Sequence, residues 1–263
     1  MSPPTDPPAT RRSLHGPLAA VLAGQLLLGF GLTAPGAVLL AVVLVGLLTH
    51  GLVAGRLLEE GAARPLVVGP LPDALGALSL VALMGLLDAA QPLGSGHPVA
   101  NAALVGVGML VAVAVVMRPA PVRTLRSSMR VSWTQALVGL AGVPYGVVTA
   151  VLVHPGSLAP AGLSARFAGA LVVAGILGAA AELVFRGVVQ TALGPALGSR
   201  GIVAGAVLSA GAAGVSGSVP LAMSAGVVGL LLGWWVDRTD SLWGAAAAHC
   251  LLYMVIVIYA GRT

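Results

Sequence analysis

Charged residues and cysteine are both scarce in this sequence. Only 8% of the 263 residues are charged, whereas 58% are hydrophobic, and a soluble domain needs more polar surface than that. The mean hydropathy of +1.02 is typical of a polytopic membrane protein. The chain has a single cysteine, Cys250, which excludes an internal disulfide and a cysteine-based metal cage.

The sequence also lacks nucleotide-binding signatures and internal repeats. No GxGxxG or P-loop pattern follows a strand-like run, so nucleotide hydrolysis is not indicated. No repeat has a fixed period, which argues against a solenoid. The net charge of +5 does not indicate nucleic acid as a partner, because the arginines lie between apolar runs and not along one face.

Long apolar runs are abundant. Residues 1–16 contain four prolines, two adjacent arginines and no apolar run, so we predict a disordered cytoplasmic tail. An apolar run of about 17 residues or more can cross about 30 Å of hydrocarbon. Such runs predict spans at 17–34, 36–55, 74–90, 98–117, 133–153, 164–185, 201–216, 220–236 and 242–260. The predicted fold is an all-helical transmembrane bundle of eight or nine spans, with N-terminal helices over 17–160 and a core over 161–263.

The arginines predict the orientation of this bundle. If the N-terminus is cytoplasmic, ten arginines lie inside and only Arg166 and Arg262 lie outside, as the positive-inside rule requires. We therefore predict a multi-pass protein of the cell membrane with its C-terminus outside. The short turns at 34–36 and 216–220 leave open a re-entrant hairpin, which would reduce the number of crossings to eight or fewer.

One apolar segment, residues 178–194, carries both an acid and a base. A charge near the middle of a bilayer costs roughly 2.5 to 3.5 kcal/mol on insertion scales, so Glu182 and Arg186 need a reason to be there. On a helix they lie four residues apart on one face, with the acid N-terminal to the base, the better orientation for an ion pair. Each charge can therefore neutralise the other.

Two motifs in this part of the chain resemble those of a known family. Residues 182–187, Glu-Leu-Val-Phe-Arg-Gly, precede residues 241–244, Ser-Leu-Trp-Gly, and then His249. In this order they resemble the CAAX-protease and bacteriocin-processing (CPBP) family, over roughly residues 165–259. The resemblance implies that 161–263 is a CPBP-like helical core. It also implies an intramembrane endopeptidase that acts on membrane-associated peptides or proteins.

The family's signatures, EExxxR, FxxxH and HxxxN, imply roles for the matching residues. In that scheme the first glutamate and the histidines activate water, with or without a divalent metal such as zinc, an arginine supports the site, and an asparagine stabilises the oxyanion. Glu182 stands at the second glutamate. Glu182, Arg186 and His249 match three of these positions and are the candidate catalytic residues. Tyr253 stands at the asparagine position, one turn after His249, and is a candidate oxyanion donor.

Other signature positions are not matched. Ala181 replaces the first glutamate, and an alignment through residues 207–210 places Ala213 at the phenylalanine and Gly217 at the second histidine. Residues 59–64 match EExxxR literally, but they contain Gly61 and precede Pro65 in a predicted loop, so we reject that match.

These departures favour an endopeptidase scaffold whose catalysis is impaired or lost. Catalytic zinc normally takes three protein ligands, and Glu182 and His249 supply only two, so we assign no metal. The alternative is a structural ion pair in a non-catalytic protein that binds a transmembrane partner or lipid. A small-molecule transporter is a weaker alternative, since no inverted pair of broken spans is evident. The expected partners are the lipid bilayer and a membrane peptide or protein.

Overall fold

The computed structural model describes residues 8–59, 71–90, 98–116, 132–153 and 163–260, and all its regular elements are helices. The predicted all-helical bundle is confirmed for this part of the chain. The helices are α1 (Pro8–Gly29), α2 (Thr33–Glu59), α3 (Leu71–Ala90), α4 (Pro98–Val116), α5 (Trp133–Val153), α6 (described next), α7 (Arg200–Gly214), α8 (Val219–Thr239) and α9 (Trp243–Ala260).

Helix α6 is a continuous helix in which α and π segments alternate. Its segments are Leu163–Val172 (α), Val173–Gly178 (π), Ala179–Glu182 (α), Leu183–Gln190 (π) and Thr191–Leu197 (α). The predicted span ended at residue 185, which is wrong by twelve residues (197 − 185). The helix ends only where Gly198 takes a positive φ of 60°, a conformation that glycine adopts without strain. Glu182 and Arg186 therefore lie well inside a helix and not near its end.

Four helical stretches are long and apolar enough to cross a membrane: Asp73–Ala90, Trp133–Leu152, Gly169–Leu197 and Val219–Thr239. Five shorter apolar stretches, of 10 to 17 residues, belong to the remaining helices. An apolar stretch shorter than about 17 residues spans the bilayer only with local thinning or with flanking side chains that snorkel to the interface. The number of full crossings therefore stays a prediction.

The N-terminal boundary differs from the prediction. Helix α1 begins at Pro8, so residues 8–16, which we assigned to a disordered tail, are helical, while residues 1–7 lie outside the described residues. Proline is well suited to the first turn of a helix because it has no N–H to leave unpaired. Leu14 is only 2% exposed, so packing of α1 against the bundle stabilises this extension.

The first tight turn is also displaced. We placed it at residues 34–36, but α1 ends at Gly29 and α2 begins at Thr33. Gly31 has a φ of 77°, and the N–H groups of Gly31 and Leu32 donate to the carbonyls of Leu28 and Leu27, a Schellman cap. The turn at 216–218 falls where predicted, and the Ser218 side chain caps α8 by accepting from the Leu221 N–H at 3.3 Å.

Two main apolar clusters hold the bundle together, and a small third one joins α6 and α9 at Ala170 and Val257. The larger is built from α1, α2, α3, α4, α6 and α7, and the smaller from α5, α8 and α9. Small residues allow close approach of helices across these clusters: a Cβ on Gly229 of α8 would lie 2.9 Å from the Cα of Ala206 in α7. Helix α6 belongs to the first cluster and also packs on α9, so its charged residues lie where the two clusters meet.

Candidate functional site

Three of the predicted site residues come together between α6 and α9. Oε1 of Glu182 lies 3.0 Å from Nη1 of Arg186 and 2.5 Å from Nδ1 of His249. Glu182, Arg186 and His249 are 1%, 3% and 6% exposed. The predicted contact between Glu182 and Arg186 is present, and His249, 67 residues later, shares the same carboxylate oxygen.

The local helix geometry around this cluster is unusual. Glu182 closes a four-residue α segment that has a π segment on each side, and Arg186 lies within the second of these. Segments of π-helix are rare and occur frequently at functional sites. The α-helical spacing used to predict the ion pair is therefore only an approximation here, although the pair forms.

Part of the hydrogen-bonding capacity of this cluster is unused. Oε2 of Glu182 and both Nη atoms of Arg186 are buried without a hydrogen-bond partner among the described residues. The contact between Arg186 and Glu182 is therefore an ion pair by distance and not a well-aligned hydrogen bond. Buried polar atoms of this kind are costly to leave unpaired, so they are available to a water molecule or a peptide group.

Tyr253 lies beside His249, as predicted from its position one turn later on α9. The two rings are stacked, with centroids 5.0 Å apart and an interplanar angle of 8°. The imidazole is thus held between a carboxylate at its Nδ1 and a phenol ring on its face. This arrangement orients His249, which is a separate contribution from the oxyanion donor role predicted for Tyr253.

The two residues aligned with the second signature, Ala213 and Gly217, do not share one helical face. Helix α7 ends at Gly214, and Gly217 lies in an exposed turn with a φ of 75°, so it does not continue the helical face of Ala213. Gly201 of α7 lies against Gly194 of α6, and Gly205 lies against Phe185. Residue numbers rise along α7 as they fall along α6, so the two helices are antiparallel neighbours. This register brings Ser209, 5% exposed, about level with Glu182.

Sequence reasoning missed Ser209 because no motif marks it. It also missed two buried glutamines in apolar helices, where a polar side chain is a signal in itself. Oε1 of Gln135 accepts from the Trp235 indole N–H at 3.1 Å and from the Gly244 N–H at 2.8 Å, so it joins α5, α8 and α9. Gln25 of α1 is fully buried, and its carboxamide has no hydrogen-bond partner among the described residues.

The cluster lines neither of two cavities in the described part of the bundle. One cavity of about 350 Å³ lies between α1, α3, α6 and α7, and one of about 230 Å³ lies between α5, α8 and α9. Neither is lined by Glu182, Arg186, His249 or Tyr253.

The rejected EExxxR match at 59–64 cannot be compared with the structure, since residues 60–64 lie outside the described part of the chain.

A divalent metal does not fit this site. The described residues contain no group of three His, Cys, Asp or Glu side chains that could hold an ion. Glu182 already shares Oε1 with a guanidinium and an imidazole, and the positive charge of Arg186 opposes a cation at the same carboxylate. With only Glu182 and His249 as ligands, a catalytic zinc would be one short of its usual three protein ligands.

No curated protein and no solved structure matches this chain. Residues 160–255 match the family Rce1-like, described as Type II CAAX prenyl endopeptidase Rce1-like. The matched region covers about a third of the chain and contains all four predicted site residues. Over residues 160–255 the chain therefore carries an Rce1-like domain of the CPBP family, set in an all-helical membrane bundle.

Proposed function

We propose that this protein is a CPBP-type intramembrane endopeptidase scaffold for membrane-associated peptides or proteins, and that its peptide-bond hydrolysis is impaired or lost. The Rce1-like domain supports the scaffold. The loss of hydrolysis rests on one observation, the sharing of a single Glu182 oxygen by Arg186 and His249 in a buried cluster.

Hydrolysis of a peptide needs a group that takes a proton from water and donors aimed at the developing oxyanion. Oε1 of Glu182 is already engaged by a cation and an imidazole, which leaves Oε2 alone to accept a proton. Ala181 provides no second carboxylate, and Tyr253 stands where an asparagine would act. The four side chains therefore form a poor hydrolytic site.

Access to the cluster supports the same conclusion. Glu182 and Arg186 are almost fully buried, and the two cavities described above do not reach them. A substrate peptide and its attacking water would both need to reach residues that are at most 6% exposed. A buried ion pair that joins helices needs no such access.

The alternative function is that of a non-catalytic membrane protein that binds a transmembrane partner or lipid. The exposed apolar side chains of α5 favour it, among them Leu137, Leu140, Val148 and Leu152, which are 54–60% exposed. For either function we propose N-terminal helices over 17–160, a CPBP-like core over 161–263, and a location in the cell membrane with a cytoplasmic N-terminus. The start of the family match at residue 160 supports this division.

The decisive experiment compares new protein N-termini in membranes of cells that express the wild type or a Glu182→Ala/His249→Ala variant. We expect identical sets of termini, because neither residue carries out hydrolysis. A Thr149→Ala/Ser224→Ala variant is the matched control, since it removes a buried polar pair 2.8 Å apart outside the cluster. Termini that disappear in the first variant and persist in the control would show active proteolysis and overturn the proposal.

A further inference from the structure

The larger cavity has an uneven distribution of polar and apolar groups. Its lining includes Leu18 and Leu22 of α1, Leu78 of α3, Leu193 of α6 and Val207 of α7, whereas its polar lining residues are His15 and Arg200. Leu78 and Leu193 are at most 1% exposed and form its inner wall. The cavity is thus an apolar groove with one cation and one imidazole.

The two polar residues lie at the same end of this groove. A Cβ on Gly29 would lie 2.5 Å from the carbonyl oxygen of Gly214, and a Cβ on Gly211 would touch Gln25. These contacts relate α1 and α7 as parallel neighbours, with an offset of about 185 residues. That offset places His15 level with Arg200 and Leu22 level with Val207, about 10 Å further along at 1.5 Å per residue.

The polar end is exposed and has no negative partner within the described residues. Arg200 and His15 are both exposed, and Arg200 forms no ion pair with another described side chain. Asp73, near the start of α3, is exposed and does not line the groove. A guanidinium and a ring N–H are both donors suited to a phosphate, while the leucines beyond them suit a hydrocarbon chain.

We propose that this groove binds an anionic glycerophospholipid, with the phosphate at Arg200 and His15 and an acyl chain along the leucines of α1, α3 and α6. Val203 and Val207 of α7 line the groove and are 51% and 45% exposed, so an acyl chain can enter past them from the bilayer. This site lies apart from the Glu182 cluster and does not depend on whether the protein cleaves peptides.

The test is a titration of full-length, lipid-depleted protein in detergent with phosphatidylglycerol or with phosphatidylcholine of the same acyl chains, followed by native mass spectrometry. We expect the wild type to bind phosphatidylglycerol about fivefold more tightly, the effect of one arginine on an anionic lipid. Arg200→Gln should abolish this preference, so that the two lipids bind with about equal affinity. Arg238→Gln is the matched control, because Arg238 is also exposed but packs on Trp234, 5.0 Å from the ring centroid.

A second pair of variants tests the apolar part of the groove. Val207→Phe should fill it and weaken the binding of both lipids, whereas Val227→Phe on α8, which is 48% exposed and lines neither cavity, should leave binding unchanged.

Equal affinity of the wild type for the two lipids would overturn the proposal, and so would equal losses from Arg200→Gln and Arg238→Gln. Lipid binding that appears only after residues 1–7 are removed would show that the chain itself fills the groove. A dimer that Val207→Phe dissociates would assign the groove to a second copy.

Discussion

The Glu182–Arg186 pair is the residue-scale feature with the largest expected effect on stability. Removal of one member leaves the other charge buried and uncompensated, which costs about 3–5 kcal/mol. We therefore expect Glu182→Ala to lower the free energy of unfolding in detergent by this amount. Replacement of both charges, as in Glu182→Leu/Arg186→Leu, should cost much less, because a buried pair can often be exchanged for apolar side chains.

The comparison of single and double variants is also the control for this prediction. If Glu182→Leu/Arg186→Leu lowered stability as much as Glu182→Ala, removal of the second charge would restore nothing, and an uncompensated buried arginine would not be the cause of the loss. His249 stays near the cluster in both variants, so its contact with Glu182 is lost equally from each.

At the residue scale, the sequence predicted those contacts whose two members are marked by spacing or by a motif. Glu182 and Arg186 are charged residues in an apolar segment, so their contact followed from spacing, and His249 followed from a motif. Gly217, which we aligned with the second histidine, lies outside α7, because the helix ends at Gly214 and the capping of the turn to α8 is not encoded in the motif. The buried carboxamide of Gln25 was missed because its environment is formed by α1 and α7, far apart in sequence.

Contacts between helices depend on glycines whose absent side chains make room for a neighbour. A Cβ on Gly142 of α5 would lie 2.7 Å from the carbonyl carbon of Ala248 in α9, and backbone cannot move aside as a flexible side chain can. We expect Gly142→Ala to separate α5 from α9 and to lower the free energy of unfolding by about 1–3 kcal/mol, the usual cost of overpacking.

Gly46→Ala on α2 is the matched control for that substitution, because a Cβ there would meet no atom within 4 Å. Alanine should stabilise that helix by roughly 0.5–1 kcal/mol, since glycine loses more conformational freedom on folding. Thermal unfolding in detergent measures both variants. A loss of stability in Gly46→Ala equal to that in Gly142→Ala would show that the interface with α9 is not the cause.

At the scale of whole helices, hydropathy predicted which segments are helical better than where they end. Helices α4, α5 and α9 agree with the predicted spans to within one residue at each end. Helix α6 continues to Leu197 because packing against α3 and α7 maintains it beyond the charged pair. The π segments on either side of Glu182 depend on tertiary packing, and no residue pattern in the sequence indicated them.

The orientation of the whole molecule remains to be tested with reporter fusions. With a cytoplasmic N-terminus and nine crossings, an alkaline phosphatase domain fused after Thr263 should be active, because it would be exported. A fusion after Arg123, in a predicted cytoplasmic loop, should be inactive and serves as the control. An inactive C-terminal fusion would indicate an even number of crossings, as expected if one of the short helices is re-entrant.

Cys250 gives this bundle a native reporter of its own opening. It follows His249 on α9, and a Cβ on Gly178 of α6 would lie 2.9 Å from its Sγ, so the thiol rests against bare backbone beside the charged cluster. It is the only cysteine in the chain. Because Cys250 is only partly buried, a maleimide will react with the resting protein at a basal rate, and an increase above that rate will report separation of α6 and α9 without any engineered label.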